Sequence, residues 1–427
     1  MPVSPGEAPP PLLIFGATVV AEAGLWSPGW LVAAGGRIQA SGPGEAPGGV
    51  RAEVAALGVT VDGRGGVLLP GFIDVHVHGG GGADAMDADP DGLRRLARFH
   101  AAHGVTALLP TTWSAPAAAL ESAVGAIAEA LGPVEGGATV LGAHLEGPWI
   151  NPARAGAQDP AGIRPPDLAE ARRLLAIRPG PAARRPPPAG AGGAGAGGGP
   201  GGPGGVVRMV ALAPEMPGAD DLIRECAGRG VVVAAGHTEA SWDDMVAATR
   251  AGVRHVTHTF NAMAGLGHRE PGAAGAALAL PELRCELIAD GHHVHPGAMA
   301  VLARAKGPTG VVLISDAVRA AGLPEGDVDL GGRTAQHCCG AVRLADGRLA
   351  GSVLTLDVAL RNFAAATGWD WPDLARAAAG NAAAALGLST KGRLAPGLDA
   401  DLVLLAGDGA GDVVLTVVEG RIVHRSV

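Results

Sequence analysis

The property that most restricts what this chain can fold into is an alternation that runs from residue 69 to residue 391. Short aliphatic runs of strand length alternate there with helix-patterned stretches, the arrangement of successive βα units. Strand-like runs read at residues 71–75, 139–143, 231–235, 254–257 and 311–314. Between them, residues 91–103 carry Leu93, Leu96, Phe99 and His100 at helical spacing and stop at Gly104. Residues 115–131 are alanine-rich and stop at Gly132, and Ser241-Trp242-Asp243-Asp244 has the form of a capping box opening a helix that runs to Ala251. About eight such units fit this length, which predicts an α/β fold built on a (β/α)8 TIM barrel.

Both ends of the chain read as β structure. Apolar runs at residues 12–15 and 30–34 precede Gly35-Gly36, which turns the chain into residues 37–40. Runs at residues 401–405 and 413–418 precede Glu419-Gly420, which turns into residues 421–424. Similar hairpins at opposite ends predict that the termini meet in one small β-sandwich domain, contributed by residues 1–68 and 392–427, with the barrel of residues 69–391 inserted between them. Residues 179–205 are nearly all Pro, Gly, Ala and Arg and have no apolar face to bury. They read as a flexible surface loop, a tolerated insertion.

Composition removes several classes of function. A formal net charge of −9 argues against a general nucleic-acid binder, which needs a clustered basic surface. No run of about 18 apolar residues spans a bilayer, and the start of the chain lacks the basic and apolar regions of a signal peptide. Cys226, Cys285, Cys338 and Cys339 are too few and too scattered for a disulfide framework, so a reduced, cytoplasmic setting is expected.

The informative polar residues fall where the strand-like runs end. His76 and His78 follow the first run, and His144 and Glu146 follow the second. His237, His258 and Asp316 follow the later ones, so the set is spread over 240 positions. In a barrel all strand C-termini lie on one face, where the active site sits, so these residues converge. Singly, each has an ordinary structural reading: a hydrogen-bonded histidine, a solvated glutamate, an aspartate capping a helix. Jointly they predict a catalytic metal site, and imidazole with carboxylate suits Zn²⁺ or Fe²⁺.

On longer motifs the chain resembles the amidohydrolase superfamily and, within it, the N-acetylglucosamine-6-phosphate deacetylases. The residues that carry the resemblance are Pro70-Gly71-Phe72-Ile73-Asp74-Val75-His76-Val77-His78-Gly79, His144-Leu145-Glu146-Gly147-Pro148-Trp149, Gly236-His237-Thr238 and His258-Thr259-Phe260-Asn261-Ala262-Met263 with His268-Arg269-Glu270-Pro271-Gly272. Ile288-Ala289-Asp290-Gly291-His292-His293-Val294, Ser315-Asp316-Ala317, Leu349-Ala350-Gly351-Ser352 and Leu394-Ala395-Pro396-Gly397 follow in the family's order. The Glu-Gly-Pro and Phe-Asn-Ala-Met blocks are far more specific than His-x-His.

The resemblance implies that Glu146, His237 and His258 bind the principal metal, that His76 and His78 hold a second one in binuclear members, and that Asp316 is the catalytic acid/base. It places Ala157, Gln158, Asn261, Ala262, Arg269, His293, Leu349, Ala350 and Gly351 at the substrate, with Arg269 and His293 at the sugar phosphate. The implied reaction is hydrolysis of the N-acetyl group of N-acetylglucosamine 6-phosphate by a cytoplasmic, homodimeric enzyme carrying one or two Zn²⁺ or Fe²⁺ ions. Two departures bear on the substrate. Gln158 stands where the family has a histidine for the acetyl carbonyl, and the usual basic pair is reduced to Arg154. The alternatives are an amidohydrolase acting on N-acetylgalactosamine 6-phosphate or another N-acetyl sugar, and a non-catalytic barrel that binds a sugar phosphate.

Overall fold

A computed structural model of the chain describes residues 8–180, 205–407 and 411–426. Eight parallel strands form the barrel: β1 (Phe72–Val77), β2 (Val105–Thr112), β3 (Ala143–Glu146), β4 (Val207–Leu212), β5 (Val232–Ala235), β6 (Val253–Val256), β7 (Arg284–Ile288) and β8 (Val311–Ile314). Each pairs in parallel with the next, from β1 to β8. Helices cover the outside, so the strands are buried on both faces and read as near-continuous aliphatic runs rather than as alternating ones. The last seam, β8 against β1, is joined by the Asp316 backbone N–H donating to the His76 carbonyl at 2.9 Å. The barrel therefore closes through two residues of the candidate site.

Local sequence explains the helices that bracket the strands. Helix Pro90–Ala101 starts on Asp89, whose side chain accepts from the Asp91 N–H, and buries Leu93, Leu96, Ala97 and His100. Ser241 and Asp244 form the expected capping box at the start of helix Trp242–Ala251. The second strand-like run is displaced from its expected position. Pairing covers Thr139–Val140, breaks at Leu141-Gly142, and resumes at Ala143–Glu146. Gly142 has φ 146°, and a Cβ there would stand 2.4 Å from the Val206 carbonyl, so the chain steps sideways at that glycine. His144 and Glu146 consequently lie within a barrel strand, not after it.

The terminal segments meet in one eight-stranded sheet apart from the barrel. Strand Val67–Pro70 is its pivot: it pairs in parallel with Thr18 and Val19 and antiparallel with Leu402–Leu405, then runs straight into β1. Side-chain alternation divides these strands between two cores. Leu68, Leu402 and Leu404 pack within the sheet's own cluster, whereas Val67, Leu69, Val403 and Leu405 join the barrel core. The Gly/Pro-rich segment of residues 179–205 lies, apart from its ends, outside the described residues.

A four-stranded antiparallel sheet, Gly326–Leu330, Arg333–Cys338, Ala341–Leu344 and Leu349–Ser352, follows β8 and was not apparent in the sequence. Its small core of Val328, Leu330, Ala335, Val342 and Leu344 packs with Trp113 and Ala157 from the barrel mouth. Its last strand runs beside Asp316, with the Ser352 N–H donating to the Asp316 carbonyl at 2.8 Å.

Candidate metal centre

Three strands deliver a side chain to the mouth by the same backbone device. His237, His258 and Asp316 each stand two residues beyond the end of β5, β6 and β8, and each is left-handed, with φ of 48°, 30° and 49°. Phe260 and Ala262 in the loop after β6 are left-handed too, with φ of 82° and 48°. Such φ values are unfavourable for residues with a Cβ, and their clustering here marks a place where the fold holds the backbone against its preference. Gly236 lets the turn after β5 form tightly, because a Cβ there would sit 2.7 Å from the Thr257 Cβ. His76 and His78 arrive differently. They are alternate residues at the end of β1 and so share one face.

These residues converge on Glu146, which is 2% exposed. Its Oε1 lies 2.9 Å from His258 Nε2, 3.2 Å from His237 Nε2 and 3.4 Å from His76 Nε2. Its Oε2 lies 3.4 Å from His78 Nε2. Two three-donor groups result, His76/His78/Glu146 and Glu146/His237/His258, each with ligand atoms within 4.8 Å of one another. Glu146 is common to both. Asp316 completes the cluster, its Oδ1 3.4 Å from His76 Nε2 and 3.2 Å from His78 Nε2.

The surroundings fit a metal centre. His76 Nδ1 faces Glu286 Oε2 at 3.1 Å, His78 Nδ1 the Thr111 carbonyl at 3.1 Å, and His237 Nδ1 the Arg154 carbonyl at 2.8 Å. An N–H donated outward from Nδ1 leaves the Nε2 lone pair pointing inward, the usual orientation of a histidine ligand. Burial disfavours charge on His76 and His78, yet the carboxylates of Glu146 and Asp316 outweigh it and raise the two imidazoles to about 9 and about 10. Burial likewise opposes charge on Glu146, but His237 and His76 hold it well below the usual carboxylate range. Carboxylates that favour positive charge on these imidazoles would equally favour a divalent cation in place of the protons. No lysine or cysteine is among the donors.

Three supporting residues escaped the sequence reading. Glu286, within β7, is fully buried against His76 and takes the His258 backbone N–H at 3.4 Å. A lone acid inside an aliphatic strand was the available signal. Asp74 accepts the Ser315 hydroxyl at 2.5 Å across the closing seam, and burial pushes its carboxyl up to about 7. Trp113 stacks on His78 with ring centroids 3.9 Å apart. His144, which the sequence grouped with the ligands, is outside both donor groups. It faces the Val75 carbonyl through Nδ1 at 3.0 Å, and burial lowers it to about 3.

The residues expected at the substrate are placed variously. Gln158 is 1% exposed: its carbonyl oxygen accepts the Ser114 N–H at 2.5 Å and its amide donates to Glu146 Oε2. The amide is thus engaged with the shared carboxylate. Ala157 offers its carbonyl to Arg333 Nη1 at 2.6 Å. Leu349, Ala350 and Gly351 lie on the strand beside Asp316, and at Gly351, φ 63°, a Cβ would stand 2.3 Å from Val318 Cγ1. Asn261 donates to the His258 carbonyl at 3.1 Å, and the Ala262 carbonyl accepts the Thr238 N–H at 3.0 Å. His293 is held by Asp290, Nδ1 to Oδ2 at 2.6 Å. Arg269 is exposed and makes no hydrogen bond or ion pair among the described residues. Arg154 pairs with Glu239 at 2.5 Å.

A parallel barrel with buried histidines and carboxylates at its strand C-termini is the arrangement of a metal-dependent barrel enzyme. The model of the Amidohydrolase family matches residues 67–423. An N-acetylgalactosamine-6-phosphate deacetylase of Escherichia coli O157:H7 is 40% identical over 359 residues, 84% of this chain and 88% of that protein. An N-acetylglucosamine-6-phosphate deacetylase of Bacillus subtilis is 36% identical over 364 residues, 84% of this chain and 85% of that one. Among solved structures, a mutant of the Mycobacterium smegmatis N-acetyl-D-glucosamine-6-phosphate deacetylase, in complex with N-acetyl-D-glucosamine-6-phosphate, superposes with a TM-score of 0.82 at 34% identity, covering 97% of this chain and 99% of that one. The chain belongs to the amidohydrolase family and, within it, to the N-acetylglucosamine-6-phosphate deacetylase family.

Proposed function

We propose that the protein hydrolyses the N-acetyl group of N-acetylglucosamine 6-phosphate, giving glucosamine 6-phosphate and acetate. The observation that carries this reading is the shared Glu146, with donor histidines on both sides and the Asp316 carboxylate 3.2 Å from His78. Glu146, His237 and His258 hold the principal divalent cation, Zn²⁺ or Fe²⁺, and His76 and His78 with Glu146 hold a second. The chemistry such an ion supplies when bound is polarisation of the amide carbonyl and acidification of the attacking water. Asp316 takes the water's proton on its carboxylate and returns it to the departing amine nitrogen, which must leave protonated. Its φ of 49° and the backbone bonds to His76 and Ser352 hold that carboxylate in place.

Arg269 and His293 receive the phosphate: Arg269 is an uncommitted guanidinium with a planar fork, and His293 is oriented by Asp290. Asn261, Ala262, Ala157 and the strand at Leu349–Ser352 surround the sugar. Gln158 acts through Glu146, fixing the carboxylate that both donor groups share. The protein works as a cytoplasmic homodimer. Among the described residues, no helix is long and apolar enough to cross a membrane. A division into residues 1–68 with 392–427 and a barrel of residues 69–391 accompanies this reading.

A second reading, action on N-acetylgalactosamine 6-phosphate, is favoured by the 40% identity to the Escherichia coli protein of that name. Acetate release from the gluco and galacto sugars, each with and without its 6-phosphate, separates the readings. The expected result is the highest kcat/KM on N-acetylglucosamine 6-phosphate. Preference for the galacto sugar phosphate would establish the second reading, and no advantage from phosphate would refute the roles of Arg269 and His293.

A further inference from the structure

Away from the barrel mouth, one other set of metal-ligating side chains converges among the described residues. It lies on the four-stranded sheet, at the turn that joins strand Arg333–Cys338 to strand Ala341–Leu344. Cys338 and Cys339 bring their Sγ atoms to 2.7 Å, and both residues are exposed free cysteines. Glu325 reaches the same turn, its Oε1 accepting the Cys339 N–H at 2.7 Å. The ligand atoms of the three residues all lie within 4.8 Å of one another.

Adjacent residues of a strand point to opposite faces, so neighbouring cysteines do not ordinarily meet. They meet here because Cys339, φ 57°, and Gly340, φ 74°, form a left-handed two-residue turn between the paired Cys338 and Ala341. That turn type takes Asn-Gly or Asp-Gly by preference, because those side chains tolerate a positive φ. A cysteine draws no such benefit from the position. Of the other seven left-handed residues with a side chain among the described residues, five belong to the barrel-mouth loops and Ala88 and Glu419 are the remaining two.

We propose that Cys338, Cys339 and Glu325 form a surface site for a thiophilic divalent cation of the zinc and cadmium class, separate from the barrel-mouth centre. Two thiolates with one carboxylate are a donor set that selects such ions over magnesium or calcium. A tetrahedral ion with sulfur at about 2.3 Å needs its two sulfurs about 3.8 Å apart, a small opening for two solvent-exposed side chains. A disulfide fits the same pair less well. Neighbouring Cα atoms are about 3.8 Å apart, below the roughly 4.4–6.8 Å that an unstrained disulfide takes. The hydrogen bond with Cys339 raises the Cys338 thiol above its ordinary range, so loading the site releases protons. His292 also approaches this turn, its Nε2 3.2 Å from where a Cβ on Gly340 would stand.

The test is a cadmium chloride titration of the reduced holoenzyme, with its barrel-mouth centre already loaded. Equilibrium dialysis counts the bound ion, and the ultraviolet sulfur-to-cadmium charge-transfer band reports its ligands. The expected result is one cadmium per chain more in the wild type than in a Cys338→Ser/Cys339→Ser variant, a band present only in the wild type, and equal deacetylase turnover in both. Glu325→Gln is expected to keep the band and bind more weakly. Equal cadmium stoichiometry in wild type and double variant would overturn the proposal, as would a band that survives in the double variant. So would reduced protein whose Cys338 and Cys339 close into a disulfide on exposure to cadmium and air while taking up no ion.

Discussion

Glu146 and Arg269 both carry charge and both figure in the proposed reaction, yet the molecule treats them in opposite ways. The carboxylate is 2% exposed and stands within 3.4 Å of the imidazole nitrogens of four histidines, with the Gln158 amide also on it. The guanidinium stands in solvent, without an ion-pair partner among the described residues. At the first end the geometry is complete before a substrate arrives, as electrostatic stabilisation of a developing charge requires. On the proposed reading the second end gains its contacts only with substrate, so it would set affinity and choice of sugar phosphate more than rate.

The largest effect is expected at the preorganised end. Asp316→Asn removes the proton acceptor and leaves the donor histidines, so turnover should fall about 10²–10⁴-fold with bound metal unchanged. Steady-state kinetics beside elemental analysis of the same preparation checks this, and retained turnover would break the assignment. At the solvent end, Arg269→Ala removes charge-assisted bonds of about 1.5–3 kcal/mol, so KM for the phosphorylated sugar should rise roughly ten- to a hundredfold. Its kcat, and its activity on the unphosphorylated sugar, should change little. A kcat loss as large as the KM rise would place Arg269 with the reacting groups and erase the contrast.

Gln158→Ala tests the boundary between the two ends. If the amide serves Glu146, the variant should lose bound metal about tenfold more readily to a competing chelator, while KM changes little. If it serves the substrate, the reverse is expected. A smaller effect concerns the scaffold beneath the mouth. His100 is fully buried, donates to the Gly79 carbonyl, and is lowered by burial to about 4 from an ordinary 6.5. Its folded state resists protonation, so its contribution is intact above pH 6.5 and is lost as pH falls toward 4, on the order of 3 kcal/mol in all. Thermal unfolding across that range should show wild type declining more steeply than His100→Gln.

Legibility in the sequence divides along the same line. The barrel and the two donor groups at its mouth could be read because each donor follows or ends an aliphatic run, and a parallel barrel gathers all strand ends on one face. The terminal hairpins could be read from Gly35-Gly36 and Glu419-Gly420, whose positive φ values are those of tight hairpin turns. Strands β2, β4 and β7 went unread, since short aliphatic runs do not by themselves separate strand from buried helix. The sheet spanning residues 326–352 was missed because its strands are short and half-exposed. Glu286 left only the signal of a lone acid inside the aliphatic strand β7, and the Gln158–Glu146 contact depends on how the loop after β3 folds back, which no local pattern carries.

The claim on which the rest depends is that hydrolysis requires the cation held around Glu146. It is tested most directly by stripping the protein with a chelator and restoring Zn²⁺ or Fe²⁺ stepwise, with bound metal and acetate release from N-acetylglucosamine 6-phosphate measured on the same samples. Turnover is predicted to be absent in the stripped protein and to rise in proportion to metal bound at the mouth, in wild type and in the Cys338→Ser/Cys339→Ser variant alike. Full turnover in the metal-free protein, or metal uptake at the mouth with no acetate released, would contradict it.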